Sequence, residues 1–420
     1  MDNIFEYYTL KLTAKSPVFV GSGQSVSKKE FCYSPKKNKI RFMNMEKVIE
    51  YLIQNNKSIS VNINNKESIS MDYLELFERF MLDDYLLERL GENGEKCFTN
   101  GLNSFLNLIK MPVRKREECT IYMIDNDGVF EEDRTICEIQ RFMRGADGRA
   151  YIPGSSVKGM LKTALLQYLI RKNPKRLPAE KDIQNEGKNY DSELINTLTL
   201  KYKDGIPNKK DAVNSIMRGI SISDSYPVSN DRFTVCKKID VSPRKKINII
   251  NTARECIKPE TEVTFNIKID KRYFRPVGID GDTDFERLFK EIVAAFDNEY
   301  RSVYTAKFEL TGNAADLIND DFLILGGGSG YFSKNIIYTR YGYEYDSEHK
   351  LKKSDHALKK VSDYMKLKKF WNPETKSTYQ PNPDDYGIHH ISPHMIKLTK
   401  HCEKYYHFGI CKAELERKEI

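Results

Sequence analysis

Two hydrophobic rhythms run along the chain and divide it into strands and helices. Residues 7–20, Tyr-Tyr-Thr-Leu-Lys-Leu-Thr-Ala-Lys-Ser-Pro-Val-Phe-Val, alternate in part and read as a strand ended by Gly21-Ser22-Gly23. Lys39 to Met43 reads as a short strand, and Asn44 stands where it can cap a helix from Met45 to Gln54. Leu74, Phe77, Met81 and Tyr85 recur at helical spacing within residues 71–90, with Glu75, Glu78 and Glu88 elsewhere on the surface. That pattern predicts an amphipathic helix in an insertion, and residues 98–110 suggest another. Residues 119–152 are β-rich, with a strand at Ile136–Met143, a turn at Gly145-Ala146-Asp147-Gly148 and a return at Tyr151-Ile152.

A strong helix follows, from Ser155 or Ser156 to about Arg171. Its apolar stripe is Val157, Met160, Leu161, Ala164, Leu165 and Leu169, and Asn173-Pro174 stops it. Residues 172–214 are polar and Lys-rich and read as an insertion or mobile loop. Strands are expected at Gly219–Ser223, Phe233–Ile239 and Glu262–Ile269, and a helix over residues 284–301. Phe322 to Leu325 is a short apolar strand before a glycine cluster, and Tyr405 to Leu415 is strand-like. No tandem repeat of fixed period occurs.

Composition narrows the class. Of 420 residues, 40% are hydrophobic and 30% charged, with 25 Tyr and 21 Phe. This suits a folded chain of two or three domains and argues against general disorder. No apolar run approaches the length of about eighteen residues that a membrane helix needs. The start, Met1-Asp2-Asn3-Ile4-Phe5-Glu6, lacks an apolar leader. A cytoplasmic location is therefore expected. The eight cysteines are scattered without a CxxC pair, so free buried thiols are the default reading.

Charge changes the picture by its placement. Lys and Arg total 68 against 60 Asp and Glu, a net +8. Residues 350–369 carry eight lysines against Asp355 and Asp363, while the stretch from Asp72 to Glu95 is acidic. Interleaved Leu351, Leu358, Val361, Met365 and Leu367 suggest a helix with a basic face, for phosphates or an acidic partner. A solvated surface would have the same composition.

Two segments carry candidate chemistry. In Tyr151-Ile152-Pro153-Gly154-Ser155-Ser156-Val157-Lys158-Gly159 a strand runs into a helix N-terminus, where unpaired N–H groups favour an anion. Ser155 or Ser156 can cap it. Lys158 and Lys162 share a face, and Gly159 leaves room for a close approach. A capped helix after a strand also arises without any ligand. The spacing is not a Walker A loop, because residue 160 is Met. In Gly326-Gly327-Gly328-Ser329-Gly330, with Lys334 just after, dense glycine lets successive N–H groups converge on an anion. The dinucleotide pattern fails because Tyr331 occupies its last glycine position.

The order of Gly21-Ser22-Gly23, the Ile152–Gly159 segment and the late glycine loop resembles the RAMP proteins of CRISPR systems. Within them the chain is similar to the family of fifth Csm subunits of type III-A effector complexes. Ser223-Asp224-Ser225, Arg254-Glu255-Cys256-Ile257-Lys258-Pro259, Leu325 to Lys334, and His394 to Leu398 through His407-Phe408-Gly409 support this. The resemblance implies RRM-like, ferredoxin-type α+β RAMP domains with helical and loop insertions. The expected division is an N-terminal domain at 1–230, with insertions at about 44–118 and 172–214, and a C-terminal domain at 231–420 bearing the glycine-rich loop.

The resemblance also implies a non-catalytic subunit at the end of the backbone filament. It would cap the 3′ portion of the guide crRNA and support its trimming by recruited cellular ribonucleases. Implied partners are the crRNA, the backbone RAMP subunit, the small helical subunit and target RNA, with no membrane. Candidate RNA-binding residues are Gly21, Gly23, Arg144, Ser155, Ser156, Lys158, Lys162, Gly326, Gly327, Gly328, Ser329, Gly330 and Lys334. An aromatic RRM stacking motif is not evident, so contact is expected through loops and helix ends.

The alternative is an endoribonuclease that processes crRNA itself. Metal-free RNA cleavage usually needs a general acid and base, most often His. All seven histidines lie beyond residue 348, which excludes a histidine site in the N-terminal domain but not a C-terminal one. His401, Cys402, His407 and Cys411 lack the paired spacing of a zinc finger, so no metal is expected there. Asp224 is expected to cap backbone rather than hold Mg²⁺. No cofactor is expected.

Overall fold

In the first strand, β1 (Phe5–Ala14), strict alternation buries Glu6, Tyr8, Leu10, Leu12 and Ala14 and leaves the residues between them half-exposed. That single buried face organises the molecule. In the computed structural model, the described residues are 4–63, 67–83, 86, 101–127, 129, 138–172, 194–241, 247–279, 282–301, 319–330, 332–334, 336, 339, 343–345, 351–353, 370–372, 377–379 and 396–419.

Further strands of the two main sheets are β2 (Gly21–Ser27), β3 (Phe31–Ser34), β4 (Lys39–Met43), β5 (Thr120–Asn126), β6 (Glu138–Phe142), β7 (Ile220–Ile222) and β8 (Phe233–Val241). They continue with β9 (Ile247–Ile257), β10 (Glu262–Asp270), β11 (Leu323–Ile324), β12 (Ile396–His401), β13 (Lys404–His407) and β14 (Ile410–Arg417). The helices are α1 (Met45–Gln54), α2 (Tyr73–Leu82), α3 (Leu102–Leu108), α4 (Val113–Glu118), α5 (Gly154–Lys172) and α6 (Phe285–Glu299).

The first sheet has the order β7-β10-β1-β14-β11, every neighbouring pair antiparallel. Chain order β1-α5-β7-β10-α6-β14 with that sheet order is the ferredoxin-type βαββαβ arrangement, as expected. The two helices pack against each other, α5 on β7 and α6 on β14, and cover the buried face of β1. The second sheet has the order β2-β6-β9-β8-β5-β4-β3. Strand β8 meets β5 in parallel at Thr234–Val235, and β12 antiparallel at Ile239–Val241. Both sheets therefore draw strands from either side of residue 230. Between β4 and β5, helices α1 to α3 gather a second small core around Leu76, Phe80, Leu102, Phe105 and Leu106.

Several elements differ from expectation for physical reasons. The first strand stops at Ala14, ahead of Ser16-Pro17, and Gly21-Ser22-Gly23 opens β2 rather than ending a strand. Helix α2 buries Leu76 and Phe80, while Met81 is exposed, so its inward stripe lies beside the one expected; Tyr85 lies outside the described residues. The strand-like tail is two strands, broken at Gly409, whose φ of 83° bends the chain. Residues 194–214 are anchored: Leu194 and Ile195 are buried. The Asn214 amide accepts from the Leu200 and Lys201 N–H groups and donates to the Lys201 and Asn208 carbonyls. Residues 173–193, the rest of that expected loop, lie outside the described residues. Most of the Lys350–Lys369 segment also lies outside them, and Leu351–Lys353 pairs as a strand with Tyr343–Tyr345 instead of starting a helix. Among the described residues no helix is long and apolar enough to cross a membrane.

Candidate nucleic-acid interface

The site is built around Phe19, in the connection from β1 to β2. The Gly327 N–H donates to the Phe19 carbonyl at 2.6 Å. Gly326 has φ 87°, and a Cβ there would stand 2.2 Å from the same oxygen. Only glycine permits that backbone and that contact. A Cβ on Gly21 would meet the Phe19 ring at 2.7 Å. The two glycine segments thus close around one residue. Facing them is α5. The result is an open cleft of about 400 Å³, lined by Gly21, Ser156, Gly159, Met160, Thr163, Gly326, Gly327, Ser333 and Lys334, with Val20 and Ile324. Three segments singled out in the sequence meet there.

The start of α5 is held from a distance. A Cβ on Gly154 would lie 2.4 Å from the Ile222 carbonyl, so helix and strand touch backbone to backbone. The Gly154 N–H donates to Asp224 Oδ1 at 2.8 Å, and the Ile152 N–H to Ser225 Oγ at 2.9 Å. Asp224 thus caps backbone, but on a distant segment rather than locally in its Ser-Asp-Ser turn as expected. It, rather than Ser155 or Ser156, is the carboxylate or hydroxyl that takes this N–H. Ser155 is exposed, while Ser156 turns into the cleft. At Gly159 nothing lies within 4 Å of a built Cβ, so the helix presents bare backbone to open space.

Not all expected cations reach this cleft. Lys158 Nζ donates to the Ile220 carbonyl at 2.7 Å, on another face of α5. Burial, and then the Arg218 charge, push its pKa down. Lys162 shares that face and is half-buried. Arg144 is drawn into the interior. Its guanidinium pairs with Glu255, sits 3.7 Å over the Tyr122 ring, and donates to Gly148 O and Asn230 Oδ1, each at 2.9 Å. With side chains only 6% and 0% exposed, Arg144 and Glu255 form a structural pair. Arg144, expected at RNA, is thus engaged mainly by protein groups, and its buried Nε has no hydrogen-bond partner.

The glycine loop is braced from inside. Gly326, Gly328 and Gly330 all have positive φ. Buried Ser329 and Ser333 share a hydrogen bond of 2.8 Å. Beneath lies Arg254, between the Phe19 and Phe408 rings at 5.2 and 5.3 Å, with Nε donating to Gln140 at 2.9 Å. Its Nη1 is buried without a hydrogen-bond partner and would stand 2.3 Å from a Cβ on Gly328. Burial pushes its pKa down, but guanidinium keeps its charge at neutral pH. Lys334 is exposed and is the one charged side chain among the described residues lining the cleft. Gly23 lies in the irregular part of β2 opposite β6, outside the lining. Phe19, Thr163 and Arg254 were not singled out; Arg254 had a signal in its Arg-Glu-Cys motif, the other two had none.

No histidine is among the described lining residues. His407 is buried, with Nδ1 2.9 Å from the Tyr300 hydroxyl, and His401 lies at the β12–β13 turn. His349, His356, His389, His390 and His394 fall outside the described residues.

Known proteins share this architecture and sequence. A CRISPR system Cms protein Csm5 of Mycobacterium tuberculosis is 28% identical over 297 residues, 68% of each chain. The Csm5 protein of Streptococcus thermophilus is 25% identical across 100% of this chain and 99% of its own. A chain of a cryo-EM Csm–crRNA–target RNA ternary complex from a type III-A CRISPR-Cas system superposes with TM-score 0.60 at 16% identity, covering 98% of this chain and 100% of that one. The crystal structure of T. onnurineus Csm5 gives TM-score 0.52 at 17% identity, over 79% of this chain and 92% of that one. The profile of the RAMP superfamily matches residues 11–333, so this chain belongs to the RAMP superfamily.

Proposed function

We propose that this protein is the Csm5-type subunit of a type III-A CRISPR effector complex, binding RNA without cutting it. Its cleft would hold the backbone of the guide crRNA near the 3′ end, where the subunit closes the filament and supports trimming by other nucleases. The observation that carries this reading is the convergence of Gly21, the Ser156–Thr163 face of α5 and the Gly326–Lys334 loop on one open cleft. Bare backbone at Gly159, hydroxyls at Ser156 and Thr163, and one exposed ammonium suit sugar and phosphate rather than base edges. Buried Arg254 adds fixed positive charge beneath the loop.

Binding of guide RNA by Gly159→Glu tests this. The new side chain enters empty space, so the fold has no clash to absorb, and its charge repels phosphate. Guide affinity should fall at least about tenfold, roughly 1.4 kcal/mol, with a melting temperature no lower than that of the wild type. Undiminished affinity would remove the cleft from the RNA path. A second assay addresses cleavage: the purified protein with repeat RNA should leave it intact, with or without Mg²⁺. Specific cutting would favour the nuclease alternative.

A further inference from the structure

Away from the cleft, two strands abut along one edge of β8. Strand β5 runs parallel to it as far as Asn126, opposite Val235, and β12 runs antiparallel from the other end, with Leu398 opposite Ile239. Asp127, just past β5, and His401, ending β12, meet at the seam. The turn after β12 is a two-residue hairpin in which Cys402 and Glu403 take φ of 45° and 62°. The Cys402 N–H donates to both Asp127 oxygens, at 2.9 and 2.8 Å. His401 Nε2 lies 3.5 Å from Cys402 Sγ. His401 Nδ1 stands 2.8 Å from Asp127 Oδ2, yet off the line of a hydrogen bond, so this buried nitrogen has no hydrogen-bond partner. Among the described residues no other trio of His, Cys, Asp or Glu brings its ligand atoms within 4.8 Å of one another.

We propose that Asp127, His401 and Cys402 form a binding site for a zinc-class metal ion, with the fourth position open to water. Imidazole nitrogen, thiolate sulfur and carboxylate oxygen are the donors zinc takes, whereas Mg²⁺ and Ca²⁺ take oxygen alone. A tetrahedral ion with bonds of about 2.0–2.1 Å to nitrogen and about 2.3 Å to sulfur holds those ligands about 3.5 Å apart. Nε2 and Sγ already have that spacing. With Nε2 as the imidazole ligand, Nδ1 faces the Asp127 carboxylate at 2.8 Å, which orients the ring. Cys402 is exposed, whereas Cys32, Cys119, Cys236, Cys256 and Cys411 are buried, so of these thiols Cys402 is the one an ion reaches from solvent. On binding, the Cys402 thiol releases its proton to water and sulfur bonds the ion. The ion pins the ends of β5 and β12 where neither strand pairs with the other.

The test uses tag-free, full-length protein, loaded with Zn²⁺, desalted and analysed for metal, and then titrated against a chromophoric chelator. One equivalent should remain bound. Cys402→Ser, and Asp127→Asn, which retains an oxygen for the Cys402 N–H, should each weaken Zn²⁺ at least about tenfold, with wild-type circular dichroism. Co²⁺ in place of Zn²⁺ should show a thiolate-to-metal charge-transfer band that Cys402→Ser abolishes. Equal Zn²⁺ retention by wild type and Cys402→Ser would overturn the site, as would wild-type protein that retains none.

Discussion

Arg144 and Lys334 both flank motifs that point to RNA, but their surroundings give them opposite roles. Arg144 donates to Glu255, Asn230 and Gly148 and sits 3.7 Å over the Tyr122 ring. Lys334 stands in water at the rim of a cleft lined by glycine and hydroxyls. A buried cation whose partners are all protein holds the fold; an exposed one beside bare backbone is available to a ligand. Proximity to a motif does not separate these cases. Burial and hydrogen-bond partners do.

The largest effect is expected at Glu255. Its carboxylate takes Arg144, the Phe142 N–H at 3.0 Å and the Tyr122 hydroxyl at 3.3 Å. Glu255→Ala leaves a buried guanidinium unpaired and should cost about 3–5 kcal/mol in urea unfolding. Next comes Gly326→Ala, where positive φ and the Phe19 carbonyl oppose a side chain. Backbone strain alone should cost about 1–3 kcal/mol, and guide binding should weaken with the loop displaced. Gly159→Ala should instead stabilise the protein by about 0.5–1 kcal/mol, because glycine inside a helix is a liability and the space is empty. Smallest in stability is Lys334→Ala, within about 0.5 kcal/mol of wild type. Its effect belongs to RNA: the log–log salt slope of binding should drop by about one. Lys158→Ala, whose ammonium holds the Ile220 carbonyl, should leave that slope alone. A slope that shifts with Lys158 and not Lys334 would reverse their assignments.

What the sequence revealed was local or periodic. A strand near the start, the apolar stripe of α5 and a helix over 284–301 are each encoded within one segment and each formed, the strand with bounds moved to Phe5–Ala14. The three segments lining the cleft were legible as anion-binding or glycine-rich motifs. Their meeting was not, because it depends on Phe19, which accepts from the Gly327 N–H across the fold while its ring lies over the nearby Gly21. The cap of α5 was misplaced for the same reason: Asp224 acts from seventy residues away in sequence. The strands β2 and β9 were missed because Gly-Ser-Gly and an Asn-interrupted run carry weak strand patterns. The pairing of Arg144 was hidden because its partner, Glu255, lies on a distant strand.

If the cleft holds the guide, the RNA runs through it with its 3′ portion. A photoreactive amino acid at position 159, where the helix faces open space, would report this directly in the assembled complex. Cross-linking followed by mapping of the modified nucleotide should mark the 3′ part of the guide. Cross-links confined to the 5′ part, or to protein alone, would contradict the claim.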